Sequence, residues 1–384
     1  MKIMHVSTRL IIGGSQENTV LSCMGQSDAG HEVSLVYGPI HGPEGSMLPE
    51  VEAHGGIEAI ETKNMVRQIA PIRDFRCLRD LTRLIRKMRP DVVHTHSSKA
   101  GILGRHAARR AGTPAIVHTI HGLPFHPYQS QLKNRIFIDL ESRAAKRCDA
   151  IVCVAEAMRI QALEQGIGTP EQYITIRSGM DTKSFLRERS DREEWRTRFG
   201  FTPDDFVVGT VARLAELKGH DDLLDALGED LKSDRRLKLL WVGDGFHGER
   251  IRARIRTLGL QDSIVEAGRC DPEDIPAIMH SIDLLAHPSW REGLPRTVPQ
   301  ALLSGTPVVA HDVDGTGEVV IEGRTGRLVS PGDHLRLRKT ILDARWNPEI
   351  EKELAENGRR LCKDMFSSEK MVSELEKLYE SLLD

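Results

Sequence analysis

Residues 286–318 read AHPSWREGLPRTVPQALLSGTPVVAHDVDGTGE. The punctuation of this stretch predicts a strand, a loop, a helix and a second strand. The first strand ends near His287, where Pro288 stops it. Gly293 and Pro295 break the chain into a loop, a helix is expected from near Pro299, and the apolar run Pro307–Ala310 reads as the next strand. Glu292 then lies in the loop beyond a strand's carboxyl end, and Gln300 lies one turn into the helix. A carboxylate can accept from two hydroxyl groups at once, and a helix N-terminus favours an anionic phosphate. The unit therefore suits a polyhydroxylated, phosphorylated ligand.

The same strand–loop–helix rhythm extends outward in both directions. In the first half, strands are expected at Lys2–Ser7, Val33–Tyr37, Val92–His94, Ala115–Ile120, Ala150–Val154 and Tyr173–Ile176. In the second half they are expected at Val207–Ala212, Leu237–Val242, Ile264–Glu266, Leu284–Ala286, Pro307–Ala310 and Gly326–Val329. Short apolar strands separated by helices imply parallel sheets covered on both faces, with ligands bound beyond the strands' carboxyl ends. A polar connector, about Asp181–Arg196, divides the halves, and Phe366–Leu383 reads as an amphipathic helix.

Whole-chain properties narrow the class. A length of 384 residues suits two ordinary domains. A net charge of −3 and a pI near 6.6 argue against a dedicated nucleic-acid binder. The six cysteines show no C-x-x-C pairing and sit mostly in apolar contexts, as expected of reduced core residues in the cytoplasm. The start, MKIMHVSTRLIIGG, reads as a first strand running into a glycine turn rather than a signal peptide. No apolar run approaches the roughly 20 residues of a membrane helix, so contact with a membrane would be peripheral.

The 286–318 stretch closely resembles the signature of retaining, family-4 glycosyltransferases of the GT-B fold, E-G-x-P-x4-E-A followed by a-x-G-x-P-V-V-a. Glu292, Gly293, Leu294, Pro295, Ala301, Gly305, Pro307, Val308 and Val309 match, and Gln300 stands where the family usually has its second Glu. A second family hallmark, R-L-x3-K-G, is matched by Arg213, Leu214, Lys218 and Gly219. The resemblance implies an α/β chain of GT-B type, two Rossmann-like doubly wound domains facing a central cleft. Residues 1–180 would bind the acceptor, joined by a crossover helix at 366–384, and residues 181–365 would bind the donor. The implied reaction moves a hexose-type sugar from a nucleotide diphosphate sugar, UDP- or GDP-linked, to a glycan, lipid-linked or small-molecule acceptor with retention at the anomeric carbon. Alternatives are an impaired or non-catalytic nucleotide-sugar binder, suggested by Gln300, and a GT-B epimerase.

Site residues follow from the same resemblance. Arg213 and Lys218 would hold the donor diphosphate, where charge develops as the glycosyl–phosphate bond breaks. Glu292 would contact the sugar hydroxyls and Gln300 the ribose hydroxyls. His121, at a strand end before Gly122, would point at the donor sugar, with His126 a weaker candidate. Gly13 and Gly14 would let the backbone approach the diphosphate and the acceptor. Gly243, Arg269, Leu294 and Pro295 complete the donor set. No metal or further cofactor is implied. Acceptor choice is expected of first-domain loops, 38–47 and 122–131.

Three patterns are set aside and one stays open. Gly243, Gly245 and Gly248, with Glu266 beyond, form a G-x-G-x-x-G of the dinucleotide-binding kind, but the pattern is weak and the family carries a similar turn without NAD. Asp312-Val313-Asp314 is a formal D-x-D, a device of a different glycosyltransferase fold. His94-Thr95-His96 has metal-ligand character but no further ligand nearby in sequence. In the expected helix Asp74–Arg89, Phe75, Leu78, Leu81, Ile85 and Met88 form an apolar stripe opposite Arg76, Arg79, Arg83, Arg86 and Lys87. That basic face is either plainly solvated or a dock for anionic lipid headgroups.

Overall fold

The computed structural model describes residues 1–40, 45–189 and 191–384. It divides into two units, Met1–Met180 with Phe366–Asp384, and Asp181–Met365. The first unit holds β1 (Lys2–Ser7), β2 (Glu32–Tyr37), β3 (Ile57–Glu61), β4 (Val92–His96), β5 (Ala115–Ile120), β6 (Ala150–Cys153) and β7 (Tyr173–Thr175). All pair in parallel, in the order β3-β2-β1-β4-β5-β6-β7. The second unit holds β8 (Phe206–Val211), β9 (Leu237–Val242), β10 (Ile264–Gly268), β11 (Leu284–His287), β12 (Val308–His311) and β13 (Arg327–Val329). These are also parallel, in the order β10-β9-β8-β11-β12-β13. Each sheet has helices on its faces, because apolar side chains leave both sides of such strands and both must be covered. Leu239, Leu284, Ala286 and Val309 are fully buried between those layers in the second unit.

The tail helix Ser368–Leu383 completes the first unit. Its Met371, Val372, Leu375 and Tyr379 share a core with Ile3, Val92, Val117 and Val152. Burying each such side chain is worth about 1.5–3 kcal/mol.

Several boundaries and faces differ from the sequence reading. β3 was not anticipated, because its IEAIE sequence carries a glutamate at every third position and lies at a sheet edge, where one apolar face suffices. β4 runs on to His96, so both histidines of His94-Thr95-His96 belong to the strand and share one face. The helix expected from Asp74 begins at Pro71. Its buried side chains are Cys77, Leu81, Thr82 and Ile85, and Phe75 is exposed. Cys77 takes the core position that the apolar pattern gave to Phe75. The signature helix is Thr297–Leu303, two residues earlier than expected, and the strand after it is Val308–His311.

The charged connector is built into the second unit. It forms the helices Thr182–Leu186 and Arg192–Arg198. Arg192 and Arg196 both bind the Asp283 carboxylate, at 2.6 and 3.1 Å, and Asp283 also accepts from the Val207 amide at 2.7 Å. Its charges thus fasten the connector to the start of β11 and β8.

Candidate functional site

In the second unit the strand order turns back between β8 and β11, so the loops after these strands leave toward opposite sides and open a crevice at the carboxyl edge. Arg213 and Lys218 lie on the loop after β8, and Glu292 lies on the loop after β11. The two loops are sewn together by their backbones. Leu217 and Gly219 adopt positive φ, 65° and 73°, and a Cβ on Gly219 would lie 1.9 Å from the Pro288 carbonyl oxygen. Only glycine tolerates that approach. Beside it the Leu217 carbonyl accepts from the Trp290 amide at 2.9 Å and from the Ser289 hydroxyl at 3.1 Å.

This stitching brings Lys218 and Glu292 together. The Lys218 ammonium Nζ lies 2.5 Å from Glu292 Oε1, and His287 Nε2 approaches the same oxygen at 3.1 Å. The Glu292 side chain is only 12 % exposed. Burial pushes its carboxyl up, but the Lys218 ammonium and the His287 hydrogen bond outweigh this and hold it well below the usual carboxylate range. The Glu292 amide donates to Asp314 Oδ2 at 2.8 Å, so Asp314 holds the loop from beneath. Arg213 is exposed and pairs with no acidic side chain among the described residues. The crevice therefore carries a largely buried ionised carboxylate, its lysine partner and a further cation.

The remaining second-unit candidates lie along the same edge. Gly243 follows β9 at φ 133°, and a Cβ there would sit 2.2 Å from the Ala212 carbonyl oxygen. A Cβ on Gly245 would sit 2.4 Å from that of Leu214. These glycines let the turn after β9 pack on the loop that carries Arg213, a packing reason for the G-x-G pattern. Glu266, the acidic residue of that pattern, is engaged by Arg252 at 3.2 Å. Arg269 is exposed directly after β10. Leu294 and Pro295 are buried just before the signature helix, so any contact they offer a ligand is through backbone. Gln300 is half-buried on that helix, and its side-chain amide has no hydrogen-bond partner among the described residues.

The first unit presents a second set at the carboxyl edge of its own sheet. Gly13 precedes the helix Gly14–Asp28 in extended backbone, φ 174°, and the nearest neighbour a Cβ would meet is the flexible Gln16 side chain at 2.9 Å. Nothing in the fold demands glycine there. His121 is half-buried just past β5, and its Nε2 lies 3.1 Å from His96 Nδ1. The loop 38–47 expected to choose the acceptor falls partly outside the described residues, at 41–44.

Two family models match the chain, Glycosyltransferase Family 4 over residues 12–184 and Glycosyl transferases group 1 over residues 191–361. Between them they span most of its length. The chain belongs to glycosyltransferase family 4.

Its relatives and structural neighbours agree. It is 28 % identical over 280 residues, 72 % of each chain, to the UDP-Gal:alpha-D-GlcNAc-diphosphoundecaprenol alpha-1,3-galactosyltransferase of Escherichia coli. It is 28 % identical to the 2-deoxystreptamine glucosyltransferase of Streptomyces kanamyceticus, over 69 % of this chain and 70 % of that one. Among solved structures, HepE of Anabaena in complex with UDP-glucose superposes with a TM-score of 0.84 at 24 % identity, covering 99 % of this chain and 100 % of that one. The fold is GT-B, and the chain is a nucleotide-sugar glycosyltransferase.

The sequence reading of this glycosyltransferase missed some residues of the site. His287 closes the Glu292 pair from the end of β11, with Thr297 Oγ1 at 3.3 Å from its Nδ1. Asp222 receives the Trp290 indole at 2.9 Å and His334 at 3.2 Å, bracing the loop before Glu292. A strand-end histidine five residues before the signature carboxylate was the available signal for His287. The metal reading of His94 and His96 gains a neighbour the sequence could not supply, since His5 pairs in register with His94. No helix among the described residues is long and apolar enough to cross a membrane.

Proposed function

We propose that the chain transfers a hexose from a UDP-sugar to a hydroxyl of its acceptor, with retention at the anomeric carbon. The Lys218–Glu292 pair at the β8/β11 switch point, with Arg213 exposed on the loop that carries Lys218, carries this reading. A diphosphate offers Lys218 an anionic partner other than Glu292, and Arg213 adds a second cation. Negative charge grows on the β-phosphate as the bond from its oxygen to C1 breaks, which is where preorganised cations stabilise most. Glu292, relieved of Lys218, is left to accept from sugar hydroxyls, with His287 holding its second contact. The acceptor oxygen attacks C1 on the face the diphosphate leaves, and its proton passes to the departing phosphate oxygen. Retention then needs no enzymic nucleophile. His121 contributes a contact to the donor sugar, and Gln300 one to the ribose.

A lipid-linked acceptor is the favoured class. The helix Pro71–Met88 exposes Ile72 and Phe75 at 72 % and 66 % beside Arg73, Arg76 and Arg79, a face suited to an anionic bilayer surface. The galactosyltransferase relative acts on a diphosphoundecaprenol-linked substrate.

The deciding assay incubates the protein with UDP-glucose or UDP-galactose and a panel of acceptors. An α-linked product by NMR of the anomeric proton supports the reading. A β-linked product overturns retention, and free sugar alone in every arm overturns transfer.

A further inference from the structure

On one face of the first unit's sheet, seven polar side chains form a continuous network, all of them buried except the half-buried His121. His5 on β1 and His94 and His96 on β4 are fully buried. His5 Nε2 lies 2.7 Å from Gln26 Oε1, His5 Nδ1 lies 2.9 Å from His96 Nε2, and His96 Nδ1 lies 3.1 Å from His121 Nε2. The rings of His5 and His96 stack at 5.2 Å, and those of His96 and His121 at 5.4 Å. A side branch runs from Gln26 Nε2 to the Tyr379 hydroxyl at 3.3 Å, from that hydroxyl to His94 Nδ1 at 2.5 Å, and from His94 Nε2 to Thr119 Oγ1 at 2.7 Å.

Burying this many polar groups costs stability unless each finds a partner, and apolar residues would fill the same space without that cost. The network also has a direction. A neutral imidazole carries one proton, so each ring must donate from one nitrogen and accept at the other. The Gln26 carbonyl accepts from His5 Nε2–H, which leaves His5 Nδ1 to accept from His96 Nε2–H. His96 Nδ1 in turn accepts from His121 Nε2–H. One amide orientation in the core thus propagates through two rings to a residue at the sheet's carboxyl edge. Burial keeps the rings neutral, pushing His5 down to about 4 and His94 and His96 well below the usual histidine value.

We propose that Gln26, His5 and His96 are positioning residues, a proton-ordered relay that holds His121 as its Nε2–H tautomer and presents Nδ1 as the accepting nitrogen to a sugar hydroxyl. This rests on the reading that His121 meets the donor sugar. The relay explains why a glutamine and two histidines occupy a core between β1, β4 and the helix Gly14–Asp28. It also assigns Tyr379 and His94 to a separate branch that ends at Thr119 rather than at the site. A metal ion among His5, His94 and His96 would require His94 to release Tyr379 or Thr119, both of which it holds at short distance.

The test uses the full-length protein with ¹⁵N-labelled histidine, in which ring-nitrogen shifts report each tautomer. The wild type is expected to show His5, His96 and His121 all as Nε2–H. Gln26→Leu removes the terminal acceptor and should mix the His121 tautomers, lowering kcat about 10- to 100-fold with the donor KM unchanged. Gln26→Glu keeps an acceptor facing His5 and should restore the tautomer and most of the rate. Tyr379→Phe cuts only the side branch and should leave both as in wild type. An Nδ1–H His121 in the wild type overturns the relay, as does an unchanged His121 tautomer in Gln26→Leu or one equivalent of zinc copurifying with the protein. Wild-type turnover in His121→Ala overturns instead the role of His121 at the sugar, a failure visible apart from the tautomer measurements.

Discussion

Glu292 is a carboxylate kept charged in a buried place by one lysine and one histidine, so the two cations of the R-L-x3-K-G motif are predicted to differ under mutation. Arg213→Ala removes an exposed cation that pairs with no acidic side chain among the described residues. Turnover should fall about 100- to 1000-fold with the melting temperature unchanged, as kinetics and thermal melts on one preparation will show. Lys218→Met strips the ammonium from a buried carboxylate and should in addition cost about 1–3 kcal/mol of stability at neutral pH. The sign with pH follows from linkage. A carboxyl held below its unfolded value contributes stability that is fully present above the unfolded pKa and lost as pH falls through the folded one. Without Lys218 the carboxyl takes up its proton at higher pH, so the stability gap between variant and wild type should narrow on acidification. A gap that widens toward low pH would contradict the pairing, and Lys218→Met with Glu292→Gln should recover most of the loss. Gln300 makes the complementary case. Its side-chain amide has no hydrogen-bond partner among the described residues, so Gln300→Glu should leave stability alone and tighten UDP binding about fivefold by calorimetry, roughly 1 kcal/mol. A dideoxyribose analogue should erase that gain.

At the scale of the element, glycines at strand ends separate into two kinds. Gly243 is glycine because the turn after β9 lies against the Ala212 carbonyl and holds φ 133°. Gly243→Ala is predicted to destabilise by at least about 2 kcal/mol, since strain and a backbone clash act together. Gly13 is extended and faces only a movable glutamine side chain. Gly13→Ala should melt like wild type while losing affinity for donor or acceptor. If both variants proved equally unstable, Gly13 would be a packing glycine too. From sequence these residues looked alike, because the G-x-G spacing records that a side chain is absent and not what occupies its place. The helix Pro71–Met88 carries the same lesson for apolar residues. Its 3.6-residue period was plain, yet Cys77 rather than Phe75 faces the core. A period locates a face to within about one residue, and packing chooses among neighbours.

Across the whole molecule, the tail belongs to the first unit although 185 residues of the second intervene. Met371, Val372, Leu375 and Tyr379 fill that unit's core, each worth about 1.5–3 kcal/mol against a total of about 5–15 for a domain. A fragment ending at Met180 should therefore fail to fold alone, and adding a peptide of residues 366–384 should restore its circular dichroism. The fragment 181–365 should fold by itself with a cooperative melt. A stable 1–180 fragment would show that the tail is an accessory rather than part of the core.

The alternation of strands and helices, the two-unit organisation and the placing of Arg213, Lys218, Glu292 and His121 in the segments that follow strands were all legible in the sequence. Each is encoded within a few residues, by apolar periodicity and by the prolines and glycines that interrupt it. The partners of those residues were not. Lys218 meets Glu292 across 74 positions, and His5 meets His96 across 91. Both meetings depend on strand order, since β8 lies beside β11 and β1 beside β4. No local pattern states which strands are neighbours. That order emerges only when the whole sheet closes over its core, and with it comes the decision that one carboxylate is paired and one histidine is held by a chain of others.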